Sequence, residues 1–184
     1  MVSERKIRRL VAKAKNYDPE AFGKLYGLYV KKIYRFMLFR VPDSHIAEDL
    51  TEEVFYKALN SIEKFKFTGA SFSSWLFTIA DNILKNYYRH KAVENKFFSE
   101  TNMDLSVSNV NLPLIFEKEL DKKGLIIAIN RLNDEQRKVI IFKFISGLSN
   151  KEVSEILKKS IGAVKSLQYR ALKNLSTYLS KKVS

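Results

Sequence analysis

The chain has no cysteine among its 184 residues, which excludes disulfide bonds and thiol chemistry and makes the redox compartment irrelevant to its fold. No apolar run approaches the roughly 18 residues that a membrane span requires, so no transmembrane helix is expected. There is no Gly-rich phosphate loop, no Cys-x-x-Cys, no His-Glu-x-x-His and no nucleophile elbow. The two histidines, His45 and His90, are isolated and read as surface residues rather than ligands or general bases. One acid cluster exists, Glu48, Asp49, Glu52 and Glu53, but no second Asp, Glu or His set completes it as a cation site. No metal, cofactor or catalytic residue is therefore expected, and the chain is not expected to be an enzyme. No strand pattern or internal repeat stands out. The N-terminal stretch MVSERKIRRLVAKAK is basic but lacks the apolar core of a signal peptide, which points to the cytoplasm. It reads as a surface helix with Ile7, Leu10, Val11 and Ala14 on one side.

What the chain does have is positive charge, unevenly spread. The formal net charge is +13. Residues 122–184 carry 14 Lys and Arg against 4 Asp and Glu, whereas residues 1–121 carry 19 against 16. A basic rear third behind a nearly balanced front suits a polyanionic partner for the rear part.

That rear part contains the stretch GLSNKEVSEILKKSIGAVKSLQYRALKNL, residues 147–175, which reads as two helices joined by a tight turn. Ser149 and Glu152 have the spacing of a capping box. Val153, Ile156 and Leu157 form one apolar face, Lys158-Lys159 interrupt it, and Ser160 can cap again. The second helix places Val164, Leu167, Ala171, Leu175 and Leu179 on one face. The other face shows Gly162, Ser166, Tyr169, Arg170 and Lys173, with Lys165 flanking. In a helix-turn-helix the second helix enters the DNA major groove, its N-terminal part nearest the base edges.

The front half reads as helices throughout. Asp18 caps a helix with Pro19 at its first position, running to about Arg40 and carrying Phe22, Leu25, Tyr26, Tyr29, Ile33, Phe36 and Met37 inward. Val41-Pro42-Asp43 stops it. Asp43 or Ser44 opens the next, to about Ile62, with Ile46, Leu50, Val54, Phe55, Ala58, Leu59 and Ile62 buried. The four acids gather on its other side, either favouring the helix dipole or forming a docking face for a basic partner. The loop EKFKFTGASFSS, residues 63–74, mixes Phe65, Phe67 and Phe72 with Lys64 and Lys66. Aromatics and lysines in a loop suit unstacked bases, although each phenylalanine taken singly is better explained as a core plug. Ser73 or Ser74 caps a further helix through Arg89 or beyond, with Trp75, Leu76, Ile79, Ala80, Ile83, Leu84 and Tyr87 as its apolar stripe. Residues 94–116 lose periodicity and gain Ser, Asn and Thr, as a linker would. Helices Glu117–Asn130 and Glu135–Ser146 follow; the latter carries Val139, Ile140, Phe142, Phe144 and Ile145, and Gly147 ends it.

Three blocks in this order, IAEDLTEEVF at 46–55 with SWLFTIADN at 74–82 and Arg89, then LNDEQRKVIIFKFISGLSNKEVSEILKKSIGAVKSLQYRALKNL at 132–175, resemble the second and fourth regions of bacterial RNA polymerase sigma factors. The branch they resemble is the small extracytoplasmic-function group, over about residues 18–90 and 117–180. The resemblance implies an all-α fold of two helical domains, 1–93 and 117–184, joined by a polar linker at 94–116, the second a helix-turn-helix of the region 4 type. It implies that Asp49, Glu52, Glu53 and Phe55 dock on core RNA polymerase. It further implies that the loop with Lys64, Phe65, Lys66, Phe67 and Phe72, together with Asn82, Lys85 and Arg89, holds the single-stranded −10 element. Ala163, Lys165, Ser166, Tyr169, Arg170 and Lys173 would face the −35 duplex, some through phosphate only. An anti-sigma factor is a candidate further partner. The chain departs from the family pattern where the turn commonly has glycine and here has Lys158-Lys159. It departs again at Ala163, where Thr is frequent before the Val-Lys-Ser of the recognition helix. The rival reading is a stand-alone helix-turn-helix regulator that binds palindromic duplex without polymerase; a protein-interaction adaptor is a second.

Overall fold

Local capping chemistry sets most helix starts. The computed structural model describes residues 3–99 and 119–180, with side chains over 3–93 and 124–179, and divides the chain into two units, Met1–Leu112 and Pro113–Ser184. Helix α1 (Glu4–Ala14) is capped by Ser3 and buries Val11 and Ala14 against α2 (Pro19–Leu38). Asp18 accepts from the Ala21 N–H at 3.0 Å, and Pro19 follows it in the first turn, where its missing donor is not needed. Asp43 caps α3 (Ser44–Ser61), accepting from the His45 N–H at 2.7 Å. A short 3-10 turn, Ile62–Lys64, then leads through the 65–71 loop into α4 (Phe72–Ser99).

In the first unit α2 packs on α1, α3 and α4, and α3 packs on α4. Phe36 and Phe77 meet edge-to-face at 5.7 Å between centroids in the centre of this core, both fully buried. Truncating either to alanine would cost about 3–5 kcal/mol. The buried faces differ in detail from the expected ones. On α3, Leu50, Val54, Phe55, Ala58 and the C-cap Ile62 are buried as expected, but Ala47 and Thr51 are buried too, while Ile46 is half-buried and Leu59 exposed, so the inward face differs at its edges. On α2, Ala21 and Leu38 are buried, Phe22 is half-buried and Tyr26 is exposed. Tyr26 instead lies edge-on to Phe55 at 4.6 Å. The cap of α4 is Ser71, not Ser73 or Ser74: its Oγ accepts from the Ser74 N–H at 3.1 Å, and the other two serines are buried in the first turn. At its far end α4 continues to Ser99, past residue 94, where a linker was expected to begin. Residues 100–116 of that expected linker lie outside the described residues, as does the Lys/Ser tail 181–184.

In the second unit α8 (Ile161–Ser180) is the element against which α5 (Glu119–Asn130), α6 (Asp134–Ile140) and α7 (Asn150–Leu157) all pack. Asn133 caps α6. The helix then widens into a π turn, Ile141–Ile145, in which the Ser146 N–H donates to the Ile141 carbonyl. A wider turn breaks the i, i+4 repeat, and Phe144, expected on the apolar face, is exposed. Gly147 takes a φ of 70°, which only glycine adopts without strain, and ends the segment.

Candidate functional site

The helix pair that follows Gly147 has the geometry its residues call for. Ser149 Oγ accepts from the Glu152 N–H at 3.2 Å and Glu152 Oε2 accepts from the Ser149 N–H at 2.7 Å, a complete capping box. Val153 is buried, with Ile156 and Leu157 half-buried beside it. Lys158 closes α7 in the left-handed conformation, φ 52° and ψ 43°. This is the turn where glycine was noted as the common residue. Ser160 Oγ then accepts from the Ala163 N–H at 3.2 Å and starts α8. Lys159 reaches back to Glu135 at 2.8 Å and ties the turn to the first turn of α6.

On α8, Val164, Leu167, Ala171 and Leu175 are buried. Lys165, Ser166, Arg170 and Lys173 are exposed, and Tyr169 is 70% exposed, so these five share the solvent side of the helix. Ala163 is half-buried at its edge. Arg170 Nε donates to the Ser166 carbonyl at 3.4 Å, a local tether that leaves the guanidinium on the surface.

In the first unit the acids stand outward. Asp49 and Glu52 are exposed, Glu53 pairs with Lys57 at 2.6 Å, and Glu48 lies 3.8 Å from His45 Nδ1. Residues 49, 52, 53 and 56 fall at helical spacing on one stripe of α3. Tyr56, which the sequence reading did not single out, is exposed on that stripe. Phe55 is not part of it: only 6% exposed, it is buried against Tyr26, because it lies one helical position from the acids and on the core side. The Tyr34 hydroxyl has a pKa raised above its ordinary 10, by burial first and by the Glu48 charge second.

The 63–74 loop separates into an inner and an outer set. Phe65 is 4% exposed and Phe72 2%, and both pack on Trp75, with centroids 4.9 and 5.4 Å away. Phe72 also meets Tyr29 at 5.5 Å. Neither ring presents a face to an incoming base, so the core-plug reading holds for these two: tertiary contacts with α2 and α4 take them inward. Phe67 is half-buried, and Lys64 and Lys66 are exposed. Asn82 and Arg89 are exposed on α4, as is Lys85, which pairs with Asp81 at 2.8 Å. Asn82 also lines a cleft of about 340 Å3 between α3 and α4, formed with Lys57, Asn60, Ser61, Ile79, Ile83 and Asn86. That Asn60 and Ser61 from the end of α3 face Asn82 and Asn86 is a tertiary fact that the sequence reading did not reach.

Comparison with known proteins places these features in a family. The sigma-70 region 2 model matches residues 25–93, and the sigma-70 region 4 model matches residues 125–175. The chain is similar to ECF RNA polymerase sigma factor SigW of Bacillus subtilis, 30% identical over 184 residues, covering 96% of this chain and 98% of the relative. It is 32% identical over 174 residues to ECF RNA polymerase sigma factor BldN of Streptomyces coelicolor, covering 95% of this chain but spanning 66% of that longer relative. Among solved structures it is similar to the sigma factor RpoE of Bartonella quintana, crystallised with the anti-sigma factor NepR. The TM-score is 0.69 at 26% identity, covering 86% of this chain and 96% of that one.

Proposed function

Because this chain belongs to the extracytoplasmic-function (ECF) RNA polymerase sigma factors of the sigma-70 family, we propose a definite allocation of its surfaces to core polymerase and to promoter DNA. As a sigma factor it binds core RNA polymerase and directs promoter-specific initiation. The working modules are residues 1–93 and 117–184, with 94–116 between them.

Asp49, Glu52, Glu53 and Tyr56 form the face that docks on core polymerase, and Phe55 supports it from within. Lys64 and Lys66 hold backbone phosphates of the single-stranded −10 element, with Phe67 beside them. Phe65 and Phe72 form the floor of the loop. Asn82 and the cleft around it offer amide groups that both donate and accept, as base edges require. Lys85 and Arg89 track the strand further along α4. Lys165, Ser166, Tyr169, Arg170 and Lys173 meet the −35 duplex, with Ala163 at the rim of that contact. The observation that carries this reading is the α8 helix: one side is held in the core by Val164, Leu167, Ala171 and Leu175, and the other presents Tyr169 and Arg170 to solvent. The protein makes and breaks no bond itself; the polymerase performs the chemistry, in the cytoplasm. Among the described residues no helix is long and apolar enough to cross a membrane. The Bartonella relative was crystallised with an anti-sigma factor, and an inhibitor of that kind is proposed here too.

The stand-alone regulator is not favoured, because residues 25–93 match the sigma-70 region 2 model and a lone helix-turn-helix has no use for that domain. The test is multi-promoter run-off transcription with core polymerase and purified protein. Promoter-dependent transcripts support the allocation. Their absence, with tight palindromic duplex binding by the free protein, favours the regulator.

A further inference from the structure

The loop after α3 is held from a direction that its own sequence does not reveal. The Arg8 guanidinium of α1 sits 4.5 Å above the ring of Phe67, while its NH2 group pairs with Glu4 at 3.0 Å. The Tyr17 hydroxyl, from the turn between α1 and α2, donates to Glu63 at the entry to the same loop. Tyr17 is 76% exposed and carries a left-handed backbone, φ 58°, so its placement is neither driven by burial nor free of strain. A non-glycine residue in that region is strained and persists where surrounding contacts fix it.

Lys64 ends the 3-10 turn, Phe65 turns the chain into extended backbone with φ −65° and ψ 132°, and exposure then alternates: Phe65 is buried and Phe67 half-buried, while Lys66 and Thr68 are exposed. Shifting an extended segment by one residue exchanges its two faces. We infer that Arg8 and Tyr17 are positioning residues. Their grip on Phe67 and Glu63 sets the register of the loop and so aims the Lys64 and Lys66 ammonium groups at the phosphates of a captured single strand. Neither residue touches the strand. The inference rests on assigning the loop to the −10 strand.

The test uses holoenzyme and a fluorescent single-stranded oligonucleotide, whose −10 sequence is first selected from a random pool by the wild-type holoenzyme. Tyr17→Phe removes only the hydroxyl and leaves net charge unchanged; Arg8→Met removes the cation and keeps most of the stem. Each is combined with Lys64→Ala/Lys66→Ala in a double-mutant cycle, with thermal melting of every variant as a control. A contact of the cation–π or hydrogen-bond class corresponds to a loss of affinity of about three- to fivefold for Tyr17→Phe or Arg8→Met. The expected result is that this loss disappears in the Lys64→Ala/Lys66→Ala background, with Arg8→Lys restoring much of it and melting temperatures unchanged. Additive losses in the cycle, or no loss from Tyr17→Phe and Arg8→Met, overturn the positioning role and leave the loop assignment standing. If Lys64→Ala/Lys66→Ala alone leaves oligonucleotide binding intact, the loop assignment fails, and the inference with it.

Discussion

The Asn174 side-chain amide of α8 donates to Gln136 Oε1 of α6 across 3.1 Å, joining the recognition helix to a second helix of the same domain. Gln136 is buried, and its own N–H is taken by the Asn133 cap. The bond therefore fixes α8 along its length at a point away from its solvent face. Removing Asn174 leaves a buried acceptor without this partner, which costs about 1–3 kcal/mol. Asn174→Ala should lower the denaturant midpoint of the second domain by a corresponding amount, measured by circular dichroism on the full chain. Gln136→Leu/Asn174→Leu, which replaces both polar groups, should recover most of the loss.

Lys158 occupies a left-handed position that glycine adopts freely. Lys158→Gly should raise stability by about 1 kcal/mol, since relief of the side-chain clash outweighs the larger entropy of the unfolded chain. Thermal melting checks the sign. The structure thereby accounts for the departure from the family pattern at this turn: lysine keeps the left-handed geometry at an energetic cost.

Phe65→Ala and Lys66→Ala are adjacent substitutions with opposite expected profiles. The first removes a buried ring that packs on Trp75 and should destabilise the first domain by about 3–5 kcal/mol. The second removes an exposed cation, should leave melting within about 0.5 kcal/mol, and should weaken −10 strand binding. Denaturation and oligonucleotide titration on the two variants separate the roles.

On the −35 face, Lys165→Ala and Lys173→Ala should each weaken promoter binding similarly across sequences and flatten its salt slope by about one. Arg170→Ala should instead cost about 1–3 kcal/mol at one promoter position and relax preference there. Holoenzyme binding to a panel of single-base −35 variants over a salt series distinguishes the two patterns.

Local signals made the helix starts legible: Asp18-Pro19, Ser149 with Glu152, and Ser160 are caps whose partners lie within three residues. The apolar repeat of α8 was legible because Val164, Leu167, Ala171 and Leu175 need only one face, whereas α3 has near-equal alternatives at Ile46 and Ala47 that packing decides. Ser71, Ser73 and Ser74 are equivalent caps by composition, and only the backbone path selects Ser71. Phe65, Phe67 and Phe72 look alike in sequence, yet two are buried and one lies under Arg8, because contacts with α1, α2 and α4 span long sequence separations. The cleft between Asn60 and Asn82 left no local mark for the same reason.

Competition for core polymerase is the measurement that bears most directly on separate surfaces for enzyme and DNA. Wild type, Asp49→Lys/Glu53→Lys and Arg170→Ala are each titrated against a labelled wild-type sigma bound to core, at one fixed salt concentration. Charge reversal on the α3 stripe should weaken attachment at least about tenfold with folding unchanged, while Arg170→Ala competes as well as wild type and fails only on −35-dependent promoters. Undiminished competition by the charge-reversed protein would contradict the account.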